Sequence, residues 1–339
     1  MAHPRLFLNT PVKSYIQVTN VCDLNCQQCY TNCTKEAATD ELTLDEWKQV
    51  LTQMSTDGVI NINIEGGEPL CRGDLDDFLR FATSKFWVWL RTHAHLITPK
   101  RAEELAQLGI GRVIVDLFAP QAELNDELAG VAGTYEHTIE GVKNLRACDV
   151  PVALACILNR KVLPHLQDYL DLGAELGAVE VAFLRFYPIG RALENWGHLA
   201  PTLPEIMTAV DSVVVPDGVR FMEGFHPYDS NCCFENAGVT STGRSIGCPY
   251  LRDLVDFGNV RDKTLLDTWQ DAHYTEIRTA EVEGACDDCA GTQVGSPGGC
   301  RSAAFMFKGS WDASDPFCVN MNEGVDVSEL PKYLPLTTP

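Results

Sequence analysis

Three cysteines crowd into the stretch VCDLNCQQCY, residues 21–30: Cys22, Cys26 and Cys29, spaced C-x3-C-x2-C, with Tyr30 directly after them. Thiolates are soft metal ligands, yet no neighbouring cysteine completes an obvious tetrahedral set, and a structural zinc site wants four closed ligands. A [4Fe–4S] cluster held by three thiolates leaves one iron open to an exchangeable ligand, so the missing fourth becomes the functional feature. The competing readings are a catalytic zinc and a loop of unrelated cysteines. A second constellation follows at Gly66-Gly67-Glu68-Pro69. Its glycines allow a ligand close to the backbone, and Glu68 can accept hydrogen bonds from an ammonium group.

The elements that must position these groups are short apolar runs alternating with amphipathic ones. Residues 14–20, 62–66, 86–92, 112–118, 152–158 and 179–186 are rich in β-branched and aromatic residues with polar flanks, which predicts buried strands of a parallel sheet. Between them lie helical patterns at 43–54, 74–83, 99–109, 135–148 and 164–177, the first opened by Thr43 and Glu46 as a capping box. The expected fold class is α/β: a partial (β/α)6 TIM-like barrel, favoured over an open doubly wound sheet. In such barrels chemistry sits at the carboxyl ends of the strands, where both constellations fall. A proline-bearing stretch at 201–221 marks the exit, dividing the chain into 1–215 and a smaller, cysteine-rich α+β domain at 216–339. One helix-like run is expected there, at 264–278.

At 339 residues the chain can bury a substantial core. Its net charge of −21, with no lysine- or arginine-rich block, argues against a nucleic-acid substrate. The first twenty residues lack the pattern of a signal peptide and no run is long enough to span a membrane, so a cytoplasmic enzyme is expected. In that setting the 14 cysteines point to metal, iron–sulfur chemistry or catalysis rather than a disulfide framework.

With the strand, the cysteine loop, its aromatic residue and the following GGEP in place, the sequence resembles the radical S-adenosylmethionine superfamily. The resemblance implies that Cys22, Cys26 and Cys29 bind a [4Fe–4S] cluster whose open iron chelates S-adenosylmethionine. Reductive cleavage then yields a 5′-deoxyadenosyl radical that abstracts a substrate hydrogen. It implies that Gly66, Gly67 and Glu68 hold the methionine end of the cofactor, and that Asn159 and Arg185, at the ends of strands five and six, approach it. Asp116 and His93 replace residues usual in relatives and are the candidates for catalysis or substrate contact.

The region from 232 to 318 resembles the SPASM/twitch extension, which binds auxiliary iron–sulfur clusters. The match runs from Cys232 and Cys233 through Gly243 to Cys248, then to Cys286, Cys289, Cys300 and Cys318. By family analogy, Cys232 and/or Cys233 with Cys248 and Cys300 serve the cluster nearer the substrate. Cys286, Cys289 and Cys318 serve an outer one whose fourth ligand is unassigned, because Gly295 stands where full SPASM domains carry a cysteine. One complete cluster, one complete plus one open, or two incomplete clusters are all compatible with this set, and zinc is the rival for the CxxC pair. Cys148 and Cys156 read as core residues, and Cys33 and Cys71 as non-functional thiols near the active face.

The implied activity is that of an oxidoreductase in natural-product biosynthesis, using an auxiliary cluster for electron transfer. Only residues 1–13 precede the first expected strand, leaving no room for a leader-binding domain. The expected substrate is therefore a small polar intermediate such as an aminosugar, cyclitol or nucleoside. The alternative is a peptide brought by a separate leader-binding protein. The expected reductant is a ferredoxin or flavodoxin, docking at Lys13, Arg72 and Arg101 against the overall negative field.

Overall fold

The structure is a computed structural model and describes residues 7–225, 232–286, 299–318 and 324–334. Six strands run in parallel and in chain order: β1 (Lys13–Gln17), β2 (Asn61–Glu65), β3 (Trp87–Thr92), β4 (Arg112–Asp116), β5 (Val152–Ile157) and β6 (Glu180–Leu184). Every residue of β2 is buried, as in a strand covered on both faces. Each expected strand is present, with ends that differ from the expected ones by no more than three residues.

The connecting helices are α1 (Leu44–Thr56), α2 (Leu75–Thr83), α3 (Pro99–Gln107), α4 (Ala122–Ala129), α5 (Thr134–Ala147) and α6 (Leu166–Glu175). Thr43 and Glu46 close the expected capping box on α1. Helix α4 is not signalled by the sequence pattern: its mixed polar run carries a weak apolar stripe, and its end is set by Gly130 in the left-handed region, φ 69°. This is the partial TIM-like barrel.

The sheet does not stop where the sequence texture changes. Strand β7 (Arg220–Met222) continues it beyond β6, in parallel. At the other edge β8 (Asn236–Val239) pairs parallel with β1, and β9 (Ser245–Gly247) pairs antiparallel with β8. The resulting nine-stranded order, β7-β6-β5-β4-β3-β2-β1-β8-β9, runs across the 215/216 division and fastens the cysteine-rich region to the strand that precedes the first cysteine loop. The helix expected over 264–278 is two helices, Leu265–Trp269 and Ala272–Thr279. Gln270 ends the first, and Asp271 caps the second by accepting from the N–H groups of His273 and Tyr274.

Candidate active site

The first cysteine loop leaves the end of β1 and is braced from three sides. Cys22 N–H donates to Thr34 O at 2.7 Å, while the N–H groups of Asn25 and Gln27 donate to the last turn of α4. The third brace is the segment after β6: Arg191 donates to Cys26 O at 3.2 Å and Cys33 O at 3.1 Å, and Ala192 N–H to Cys29 O at 3.0 Å. Gly190, at φ 61°, lets that segment close; a Cβ there would lie 2.5 Å from the Tyr30 carbonyl carbon. Cys22 is buried and Cys26 and Cys29 half-buried, all three as free thiols.

The GGEP turn lies directly against this loop. Glu68 N–H donates to Val21 O at 2.7 Å. A Cβ on Gly67 would stand 1.8 Å from the same oxygen, whereas one on Gly66 would meet nothing closer than 3.2 Å. Glu68 is fully buried. It accepts from Thr92 Oγ1 at 2.7 Å, Leu70 N–H at 3.0 Å and His93 N–H at 3.1 Å. His93 Nε2 lies 3.0 Å from Glu68 Oε2 and 3.2 Å from Asp23, and His95 Nε2 lies 2.7 Å from Asp23. The two imidazoles stack at 4.2 Å. Burial works against charge on each group, but their mutual attraction outweighs it: His93 is held well above its ordinary pKa, and Glu68 and Asp23 below theirs. Asp23, His93 and Cys22 form one compact donor group. Asp23 and His95 were missed in the sequence; the aspartate beside the first cysteine and the His-x-His at the end of β3 were the available signals.

Asp116, at the end of β4, is gripped by Arg91 of β3 in a two-point pair of 2.6 and 2.9 Å. Beside it, Tyr30 Oη donates to Glu65 Oε1 at 2.5 Å, and burial pushes Glu65 up. The Arg252 guanidinium lies 6.0 Å from the Tyr30 ring. The strand-end mouth is thus lined with charge, and His93 and Asp116 occupy separate parts of it.

Two expected cofactor contacts are engaged elsewhere. Asn159 spends its amide on its own turn, donating to Ile157 O and accepting from the N–H groups of Lys161 and Val162. Arg185 makes a two-point pair with Asp315 at 2.9 and 3.1 Å and donates to Phe225 O, with its side chain 2% exposed. Both side chains are held by protein partners in the structure.

Asp315 in turn organises the C-terminal cysteines. It accepts from Cys300 N–H at 2.8 Å, its own N–H donates to Cys286 Sγ at 3.3 Å, and Cys318 N–H donates to its carbonyl at 3.1 Å. Cys233, Cys248, Cys286, Cys300 and Cys318 are all buried, and none of them is in a disulfide. Burial pushes the Cys300 thiol up, with Cys233 close enough to add to it; Cys286 is pushed up to about 11 by burial, with Cys318 contributing. Cys289, Gly295 and the side chain of Cys232 lie outside the described residues. Cys156 is a core residue and Cys148 packs at the core's edge. Cys33, read as non-functional, stands within hydrogen-bonding reach of Cys29, with Thr31 bridging them.

The donor-docking cations are not free. Lys13 pairs with Glu235, Arg72 with Asp74 and two carbonyl groups, and Arg101 with Asp76 and Glu104. The net charge of the sequence does not reveal that each has a carboxylate partner.

The residues fit an iron–sulfur centre and its cofactor. The donor set is soft thiols, with no disulfide among the described residues. Gln28, between Cys26 and Cys29, is buried with both amide atoms unpartnered. Glu68 Oε2 lies 3.0 Å from the His93 imidazole Nε2, so the carboxylate already faces a cationic group such as an ammonium would present. A barrel with clustered thiols at its strand ends and more beyond it defines an iron–sulfur enzyme. The family comparisons are specific: residues 16–169 match the Radical SAM superfamily and residues 232–290 an iron–sulfur cluster-binding domain, SPASM. The chain belongs to the radical S-adenosylmethionine enzymes with a SPASM domain; its cofactors are [4Fe–4S] clusters, auxiliary ones included, and S-adenosylmethionine. It is 27% identical to the AdoMet-dependent heme synthase of Methanosarcina barkeri, over 92% of this chain and 97% of that one. It is 28% identical to the PqqA peptide cyclase of Rhodopseudomonas palustris, over 91% and 86%. Streptococcus suis SuiB bound to S-adenosylmethionine shares its fold, with TM-score 0.71 and 20% identity over 92% of this chain and 78% of that one.

Proposed function

We propose that the chain modifies a precursor peptide by radical hydrogen abstraction. Cys22, Cys26 and Cys29 hold the first cluster, and Glu68, with the close-packed Gly66-Gly67 backbone, holds the methionine end of S-adenosylmethionine. The cluster and cofactor together supply one-electron cleavage to a hydrogen-abstracting radical. His93 and Asp23 position Glu68, while Asp116, Arg91, Glu65 and Tyr30 orient the substrate at the strand ends. Cys233, Cys248 and Cys300 hold the auxiliary cluster nearer the barrel, with Cys286 and Cys318 in the outer group.

The observation that carries the peptide reading is the similarity to a peptide cyclase along nine-tenths of the chain. This favours the peptide alternative over the aminosugar, cyclitol or nucleoside first expected. The strand-end charges suit polar peptide side chains and backbone. The likeness to a heme synthase favours a second reading, a heme precursor as substrate. The test is anaerobic incubation of the reconstituted protein with S-adenosylmethionine, dithionite and either the precursor peptide encoded beside its gene or a heme precursor. A peptide lighter by two hydrogens is expected; an unchanged peptide with a converted heme precursor would overturn the peptide reading.

A further inference from the structure

Three tyrosines from separate parts of the chain meet between the first cysteine loop and the C-terminal cysteines. Tyr30 follows Cys29 directly, and Tyr250 sits in the 3-10 turn Pro249–Leu251 that Cys248 begins. Tyr187 comes from the segment after β6. The rings of Tyr187 and Tyr250 stack with centroids 3.7 Å apart and planes 11° from parallel, and Tyr30 lies 6.0 Å from Tyr250. Tyr187 is buried, and its Oη donates to Cys300 Sγ at 3.4 Å. Ser302 Oγ lies 3.1 Å from the same sulfur. The Arg185 guanidinium, fixed by Asp315, stands 5.6 Å from the Tyr187 ring.

A phenol earns a buried position by satisfying its hydroxyl, and here a cysteine sulfur receives it. The stacked Tyr250 ring keeps the phenol from turning away. Hydrogen bonds to the sulfurs of an iron–sulfur cluster favour the more negative, reduced form and so raise its potential. We propose that Tyr187 is a positioning residue for the auxiliary centre: its hydroxyl, held by stacking on Tyr250, donates to the Cys300 thiolate and raises the reduction potential of the cluster it ligates. This rests on the reading of Cys300 as an auxiliary ligand.

The test is a redox titration, followed by electron paramagnetic resonance, of the full-length reconstituted protein and its Tyr187→Phe, Tyr250→Leu and Cys300→Ala variants. Tyr187→Phe should keep its iron, lower the auxiliary potential and leave the first cluster's potential in place. In heavy water it should show one exchangeable deuteron coupling fewer than the parent in the electron–nuclear double resonance of the auxiliary cluster. Tyr250→Leu, which keeps the hydroxyl but removes the ring that holds it, should shift the potential in the same direction; it decides the matter if Tyr187→Phe fails to load iron. An unchanged auxiliary potential in a fully loaded variant would overturn the proposal. A Cys300→Ala protein with an undisturbed auxiliary signal would instead overturn the ligand reading, and the proposal with it.

Discussion

At Gly67 a methyl group has nowhere to go. Its carbon would sit 1.8 Å from the Val21 carbonyl oxygen, which is backbone and cannot step aside without dragging the cysteine loop. Gly67→Ala should therefore destabilise the protein by about 3 kcal/mol and lower its iron content. Gly73→Ala, where a Cβ meets nothing within 4 Å, should do neither. Urea denaturation and iron analysis of the two variants check this. Arg185 makes a second sharp case. Asp315 is buried, and the Arg185 charge beside it holds its carboxyl below the usual range despite that burial. Removing the cation strands an anion in the interior, so Arg185→Ala should cost about 3–5 kcal/mol. Adding Asp315→Asn should recover part of that loss in the same denaturation assay, because the stranded charge is then gone.

Among the elements, α1 is linked to the cysteine-rich region by a half-buried carboxylate. Glu46 closes the cap on Thr43 and accepts from Arg261 at 2.7 Å. The Arg261 hydrogen bond, with those from Thr43, draws the Glu46 pKa from 4.5 down to about 2. A carboxyl depressed in the folded state adds stability above its unfolded pKa, and that stability fades as the pH falls through the folded value. Thermal melts between pH 4.5 and about 2 should thus show a shallower acid loss for Glu46→Gln than for the parent. The cap itself was legible in the sequence, as were all six barrel strands, because a capping box and a β-branched run are local signals. Strands β8 and β9 were not. NAGV and SIG are too short and too rich in glycine to stand out: β8 is a strand because it pairs with β1 more than two hundred positions away, and β9 because it pairs with β8. The site divides the same way. The cysteine triad and GGEP are contiguous, whereas the work of Arg185 is set by a partner 130 positions along and that of Arg191 by one 165 positions back.

Across the whole molecule, one sheet carries two sets of thiols. The loop after β1 holds the first set, and the strand added to the other edge of β1 leads into the second. Cys248, which directly follows β9, is thereby fixed relative to Cys29 through the sheet, and Tyr187 joins the group by stacking on Tyr250 and donating to Cys300. No helix among the described residues is long and apolar enough to cross a membrane. The division of labour between the two thiol sets is the central claim, and one measurement reaches it most directly. The anaerobically reconstituted protein, given S-adenosylmethionine and dithionite, is assayed for 5′-deoxyadenosine beside two alanine variants. One lacks Cys22, Cys26 and Cys29; the other lacks Cys248 and Cys300. The parent and the second variant should both release 5′-deoxyadenosine, while the first should release none and hold about four fewer irons. Release from the variant lacking the first three cysteines, or none from the parent with its iron in place, would contradict the account.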